Sequence, residues 1–317
     1  MRSLNKVYFI LIILLLISQP SCSAVVKKTP MQRAENMAYC WTPDGKVAFY
    51  RLINYWIKME PDPFPGGGGV YDDYEKNDEA FIVVRDPETK EEKVLFKIPY
   101  KGSAGYANYM DWSPKTNKIL LSTGAIYILS PDGSDFKEIV RKEGGLCWHG
   151  TWSPDSKQIL YAYLPRDPQY MDNEDVTKMV TRGEKPGLYI VNTDDSSDKL
   201  LIDGENGTWS PDGKQIVYQE IRKHIIYVIN IDGTDKRLLV EGGQNPWWSP
   251  DGKWVIYGTI AISPDGKKRR QIPIVKDVKP PYQIIHGTKG MMVNGMRLTI
   301  SGKEALDLRV LEKEKMK

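Results

Sequence analysis

Chemistry that needs a proton carrier or a metal has few residues to draw on in this chain. Its 317 residues include three histidines, His149, His224 and His286, and three cysteines, Cys22, Cys40 and Cys147. Neither His-x-His nor His-Glu-x-x-His occurs, so a multi-histidine metal centre would need ligands to converge from distant segments. The Gly-x-Ser-x-Gly elbow of serine hydrolases does not occur either, since that chemistry needs its nucleophile on one sharp strand-to-helix turn. Carboxylates number 41, too many for any pair to be diagnostic of acid–base work. Binding is therefore expected over catalysis, with no cofactor and no metal. One set of residues does recur at a fixed spacing. Tyr109, Asp111, His149, Asn206 and Asn245 each stand one to three positions before a tryptophan. Such side chains suit hydrogen bonding to a ligand or partner, and equally suit satisfying backbone groups where a strand begins.

Those tryptophans open a repeated phrase. Trp248-Ser249-Pro250-Asp251-Gly252-Lys253 has a twin at Trp209-Ser210-Pro211-Asp212-Gly213-Lys214 and a near copy at Trp152-Ser153-Pro154-Asp155-Ser156-Lys157. More altered copies start at Trp112 and Trp41. Pro-Asp-Gly is tight-turn chemistry: Pro presets φ, Asp bonds its own backbone and Gly accepts positive φ. The runs that follow, 158–161, 215–218 and 254–257, are β-branched and aromatic, as strands prefer. A second turn comes later in each unit, as at Asp132-Gly133 and Asp232-Gly233. Each unit thus predicts four antiparallel strands: A ending at the Trp, B after the turn, then C and D. Spacings of 40 residues (Trp112 to Trp152) and 39 (Trp209 to Trp248) match a propeller blade. The fold class is all-β, a single β-propeller of four-stranded antiparallel blades. Six blades are expected, five clear repeats plus one completed by terminal segments; five is the alternative. The Trp itself reads as blade packing, not as a functional motif.

In chain order, residues 1–24 read as an export signal: Arg2 and Lys6, an apolar run from Val7 to Ile17, then small residues, a pattern too short for a comfortable membrane span. Two processing routes fit. Cys22 stands where a bacterial lipoprotein is acylated, although Gln19 replaces the usual Leu, and Cys22-Ser23-Ala24 also suits ordinary cleavage after Ala24. Residues 25–37 read as a tether, 38–311 as the propeller and 312–317 as a charged tail. Cys40 and Cys147, in the first and third units, read as buried thiols. Two insertions, 58–78 and 165–186, interrupt units one and three between strands B and C. By propeller topology B-to-C and D-to-A connections share one face, the mouth of the central channel. Asp111, His149, Asn206, Asn245 and Tyr109 are therefore expected there, with Tyr71, Tyr74 and Tyr170 as lid aromatics. Gly66–Gly69 reads as a flexible linker, and 232–235 lacks the ligand count of a calcium loop. Towards the end, a hairpin is expected around Asn294-Gly295 and another strand over 306–311, with residues near 30–40 available to the same closing blade.

Taken together, the Trp-Ser-Pro-Asp-Gly-Lys phrase and its Asp-Gly-Thr sequel resemble the WD-like repeats of the TolB family over most of residues 38–275. That resemblance implies a six-bladed periplasmic propeller that binds envelope proteins. It departs from TolB in showing only a short stretch before the first Trp, where TolB has an α/β domain, so the Tol–Pal role is not implied. The net charge of +3, with both signs mixed along the chain, leaves no nucleic-acid footprint. The expected function is a non-catalytic scaffold for an envelope protein or glycan, periplasmic or lipid-anchored through Cys22, and monomeric. The alternative is a carbohydrate-active enzyme like the oligogalacturonate lyases, another propeller class, with its site in the channel.

Overall fold

The computed structural model describes residues 27–60, 70–72, 78–86, 89–99, 107, 109–165, 185–194, 196–221, 223–249, 251–258 and 260–271, and the strand backbones at 284–285, 291–293, 296–300 and 305–307. The described residues form strands and turns without helices, arranged as six antiparallel sheets. The first holds β1 (Lys27–Trp41), β2 (Val47–Glu60), β4 (Glu79–Arg85) and β5 (Glu92–Lys97), with β3 (Val70–Asp72) paired to β2. The second is β6 (Tyr109–Trp112), β7 (Ile119–Ser122), β8 (Ile126–Leu129) and β9 (Lys137–Val140). The third is β10 (Gly145–Trp152), β11 (Gln158–Pro165), β12 (Gly187–Asn192) and β13 (Asp198–Ile202). The fourth is β14 (Glu205–Trp209), β15 (Gln215–Gln219), β16 (Ile225–Asn230) and β17 (Arg237–Glu241). The fifth is β18 (Trp247–Trp248), β19 (Val255–Tyr257), β20 (Ile260–Ile262) and β21 (Arg269–Gln271). The sixth is β22 (Ile284–Ile285), β23 (Met291–Val293), β24 (Met296–Ile300) and β25 (Ala305–Asp307). Each is a meander in sequence order, the expected A-B-C-D blade, and the chain is a β-propeller.

Two details differ from expectation. Residues near 30–40 belong to β1 of the first sheet, not to the last, which is built from 284–307 alone. Val293 pairs Met296, so β23 and β24 form the expected hairpin. The insertion after unit one is not simply a loop: β2 continues to Glu60, and its end pairs with β3 as Trp56↔Asp72, Ile57↔Tyr71 and Lys58↔Val70. Tyr55, Trp56 and Ile57 are strong strand formers, which favours this prolongation. The chain divides into two compact units, residues 1–33 with 54–77 and residues 34–53 with 78–317. The first includes this β2–β3 hairpin and the start of β1, and the second carries the remaining sheets.

Within the larger unit every sheet from the second to the fourth is buried on both faces. Side chains alternate across a strand, and here both alternations are apolar. From β7, Ile119 and Leu121 pack with Tyr50, Leu52 and Ile82 of the first sheet, while Leu120 packs with Tyr161 and Tyr163 of the third. From β11, Ile159, Tyr161 and Tyr163 face the second sheet, while Leu160 and Ala162 meet Trp209, Ile216 and Tyr218 of the fourth. Val217 of β15 then joins Trp248, Val255 and Tyr257 of the fifth. Burying each of the larger aliphatic side chains contributes roughly 1.5–3 kcal/mol, and all of these residues are buried.

The repeated turn is built the same way each time. Ser210 Oγ donates to Asp212 Oδ1 (2.6 Å), which accepts Lys214 N–H (3.1 Å), while Ser210 Oγ accepts Gln215 N–H (2.9 Å). Ser153/Asp155 and Ser249/Asp251 repeat these bonds within 0.1 Å. Their hydroxyl bonds hold Asp155 and Asp212 below the usual carboxylate range.

Two glycines separate packing from backbone strain. A Cβ on Gly207 would stand 2.8 Å from Leu188 Cδ1 and 2.9 Å from Leu160 Cδ2. Gly252 has φ +69° with nothing nearer than 3.7 Å. Gly207→Ala should therefore destabilise by about 1–3 kcal/mol through overpacking, and Gly252→Ala by about 1 kcal/mol through strain alone. In a Leu160→Ala background Gly207→Ala should cost less than it does in the wild type, whereas Gly252→Ala should cost the same, a coupling read from a double-mutant cycle in denaturant titrations.

Candidate functional site

From the second sheet to the fifth, the first strands lie against one another. β10 packs against β6, β14 against β10 and β18 against β14, so these strands stand side by side around a common axis. They cannot pair with one another across it, and their free edges need other partners. The sequence supplies them immediately before and at each Trp.

Three residues ahead of the Trp the strand bulges. Ala38, His149, Asn206 and Asn245 all adopt φ between 48° and 52°, and the ladder slips between Trp148 and Thr151 and between Glu205 and Thr208. Asn tolerates this left-handed conformation better than most residues, which accounts for two of the four. The following glycine presses on the preceding sheet: Gly150 N–H donates to Ser122 Oγ at 3.0 Å. Unit two lacks the bulge, and Tyr109 pairs Ser122 in regular register.

The expected site residues divide into two groups. Asn206 Nδ2 donates to Asn245 Oδ1 (2.8 Å), Asn245 N–H donates to Gln219 Oε1 (3.1 Å), and Gln219 Nε2 donates to Glu205 Oε1 (3.1 Å). This chain ties the fourth sheet to the fifth. His149 lies against Tyr109, ring centroids 4.2 Å apart, with Trp148 edge-on at 6.4 Å. Asp111 Oδ1 accepts Trp112 N–H and Oδ2 accepts Trp152 N–H, both at 2.9 Å, so one carboxylate caps its own strand and the next sheet's inner edge. Tyr74 and Tyr170 lie outside the described residues, as does Cys22; Tyr71 is described only as strand backbone in β3.

Asp111 and Tyr109 also line an axial cavity of about 290 Å³, which His149, Asn206 and Asn245 do not reach. Its remaining walls are Trp41, Trp112, Trp152, Trp209, Trp247 and Trp248, the prolines at 114, 154 and 211, and Thr151, Thr208, Ser210 and Ser249. Five of these indoles belong to the repeated phrase. The phrase is thus scaffold and cavity wall at once, because a residue ending the innermost strand has nowhere to point except between blades or toward the axis. Trp209 Nε1 reaches back to Thr151 O at 3.2 Å, and Trp112 Nε1 donates to Asn117 Oδ1 at 3.0 Å. Trp152 Nε1, Trp248 Nε1 and Thr151 Oγ1 are buried with no hydrogen-bond partner among the described residues.

Electrostatics follow from enclosure. Asp111 is open to the cavity but surrounded by protein, and burial lifts its carboxyl to about 6 against the opposing pull of the two N–H bonds. Burial, then Asp111, raise the hydroxyl of Tyr109 well above its ordinary value, and burial likewise raises the thiol of Cys40. Cys40 and Cys147 are buried free thiols. A larger cleft of about 520 Å³ lies between the turns of the first and second sheets. Three of the charged groups lining it are engaged in ion pairs, Lys46 with Asp44 at 3.2 Å and Glu92 with Arg51 at 2.8 Å, and it has a single aromatic wall, Trp112, where the axial cavity has seven. In the segment 232–235, Asp232 takes Thr234 N–H and Asp235 pairs Arg237 at 2.8 Å; both carboxylates serve the turn.

No protein-family model matches the chain, and no curated protein matches it. Solved structures do. An oligogalacturonate lyase from Vibrio parahaemolyticus superposes with a TM-score of 0.47 at 15% identity, covering 76% of this chain and 66% of the lyase. An oligogalacturonate lyase in complex with manganese gives 0.45 at 14%, covering 73% and 62%. A protein assigned as TolB from Agrobacterium tumefaciens gives 0.44 at 18%, covering 90% and 89%. The chain spans less than two thirds of the length of either lyase. Likeness at this level concerns the fold alone.

Because burial raises the carboxyl of Asp111 from 3.8 to about 6, its protonated form favours the folded state, and that contribution is lost as pH rises through this window. The unfolding free energy of the wild type, taken relative to Asp111→Ala, should therefore fall by up to about 3 kcal/mol between roughly pH 4 and pH 7. A difference that instead grows with pH would mean that the two N–H bonds outweigh burial.

Proposed function

We propose that this chain is an exported, TolB-like binding propeller without a catalytic role, whose axial cavity receives part of an envelope protein or glycan. The observation that carries the reading is the cavity itself. It is concave, walled by six tryptophans, Tyr109 and three prolines, with Asp111, two threonines and two serines among its lining residues. Ligand sites have this composition, mostly apolar walls with a few polar groups. The alternative, a carbohydrate-active enzyme, is less well supplied. An elimination of the lyase kind needs a base free to take a proton from the substrate, and Asp111, the one carboxylate among the residues lining the cavity, already holds a backbone N–H on each oxygen. Export and anchoring through Cys22 belong to the same proposal and rest on the apolar run and small residues of 1–24.

Immobilised wild type should retain an envelope protein or glycan that the double variant Trp152→Phe, Trp248→Phe retains at least fivefold less, with unchanged circular dichroism showing that the blades remain intact. Equal retention by both, together with loss on deletion of 60–77, would move the contact from the cavity to the insertion. Palmitate labelling of the wild type but not of Cys22→Ser would identify the lipoprotein route.

A further inference from the structure

We infer that the far edge of the fifth sheet is a docking site for an acidic, extended segment of a partner protein, which adds to β21 as a further strand. This surface is separate from the axial cavity, which β21 does not line. Charge is the first argument. Residues 251–271 carry Lys253, Lys267, Lys268, Arg269 and Arg270 against two carboxylates, Asp251 and Asp265. Each carboxylate serves a turn: Asp251 Oδ1 accepts from Ser249 Oγ and Lys253 N–H, and Asp265 Oδ1 accepts from Ser263 Oγ and Lys267 N–H. The Lys253 and Lys267 ammonium groups stand 3.9 Å from them, and exposed pairs of that length contribute little. Lys268 and Arg269 are exposed and make no ion pair among the described residues. The last strands of the first four sheets each hold both signs, as with Lys137 and Glu138 in β9, and β25 holds Asp307. Among these strands β21 has arginines and no carboxylate.

The backbone of the edge is the second. In β5, β9, β13 and β17 the ladder to the preceding strand slips once, and such a bulge turns an edge away from further pairing. β21 has no slip: Ile262↔Arg269, Ala261↔Arg270 and Ile260↔Gln271 run in unbroken register. β20 is its one neighbour in the sheet among the described residues. Ser263 N–H donates to Lys268 O at 2.8 Å. Bonding alternates along an antiparallel ladder, so the N–H and C=O of Arg269 face away from β20. A regular edge of this kind is the template on which an extended peptide adds a strand.

Side-chain placement is the third. Successive residues of a strand point to opposite faces: the Arg269 guanidinium lies 5.9 Å from the Tyr257 ring centroid and that of Arg270 lies 4.3 Å over Trp254. Contact with an aromatic ring steadies a guanidinium, so positive charge is held on both sides of one edge. An incoming strand alternates in the same way, and two neighbouring carboxylates on it meet that charge from either side. A second copy of β21 would bring like charges, which are unfavourable across a strand pair. An anionic bilayer would meet the cations but has no backbone to pair with Arg269; an acidic strand engages both.

The test is titration of the full chain against dye-labelled hexapeptides, read by fluorescence anisotropy at low salt, where exposed charges are least screened. In each peptide threonine and valine flank a central pair of residues. The peptide with central glutamates should bind saturably. Its glutamine and lysine counterparts should bind at least about fivefold more weakly, the effect of two exposed ion pairs, and so should a glutamate peptide with an N-methylated backbone, which cannot join a ladder. The double variant Lys268→Glu, Arg269→Glu should lose the glutamate peptide and gain the lysine one, with unchanged circular dichroism. Equal binding of the glutamate and glutamine peptides would overturn the inference. Indifference to N-methylation would overturn it too, leaving attraction without strand pairing. Binding of phosphatidylglycerol vesicles but of no peptide, abolished in the same double variant, would replace it with a membrane-facing patch. No binding of any probe would also overturn it and leave the basic edge as a guard against self-pairing. The cavity variants Trp152→Phe and Trp248→Phe should not change peptide binding, so this surface and the axial site fail separately.

Discussion

Each middle sheet must be buried on both faces while its first strand is left with an unpaired edge at the axis. That pair of constraints organises most of what the sequence spends its residues on. Two-faced burial explains why β7, β11 and β15 are apolar at consecutive positions instead of alternating with polar ones, a pattern otherwise associated with strands covered on both sides. The free inner edge explains the polar residues. Asp111 holds Trp152 N–H, the Asn206–Asn245–Gln219 chain joins two sheets, and Trp209 reaches Thr151 O. Open strand edges invite pairing with other chains, and here they are blunted by bulges and by side chains from the neighbouring blade.

That logic also settles how the polar residues of the inner strands divide. His149, Asn206 and Asn245 occupy one left-handed position in three blades, where Asn206 and Asn245 also join two sheets. Asp111 is different because unit two has no bulge. Its strand remains regular, so the residue before Trp112 is turned toward the axis and the next blade, where it caps an edge and lines the cavity together. Ionisation in that position costs stability, which the fold tolerates because the alternative is a bare Trp152 N–H.

The architecture was legible in the sequence to an unusual degree, and for a physical reason. Ser-Pro-Asp-Gly-Lys fixes a turn through bonds within six residues, so it reports local structure directly, and its spacing counts strands. The hairpin of β23 and β24 was legible from a short-range turn signal on a similar ground. The continuation of β2 to Glu60 was harder, because charged and proline-rich text around 58–65 reads as loop while Tyr55, Trp56 and Ile57 favour strand, and pairing with Val70–Asp72 decides between them. The cavity was not legible. That Trp41, Trp112, Trp152, Trp209 and Trp248 border one space depends on contacts between residues some forty to seventy positions apart, and a motif that is fully explained as packing gives no sign of it.

The dual use of those tryptophans has a consequence for how such a site can change. A ligand-contacting residue on a loop can be replaced without disturbing the fold, but Trp152, Trp209 and Trp248 also belong to the clusters that join successive sheets. Truncating a buried aromatic of this kind costs about 3–5 kcal/mol, a large part of the stability of an ordinary domain. The walls of the cavity are therefore nearly fixed by folding, and variation is confined to the smaller residues between them, Thr151, Thr208 and Asp111, and to the indole edges. The same rings that join successive sheets therefore also set the size and outline of the axial cavity.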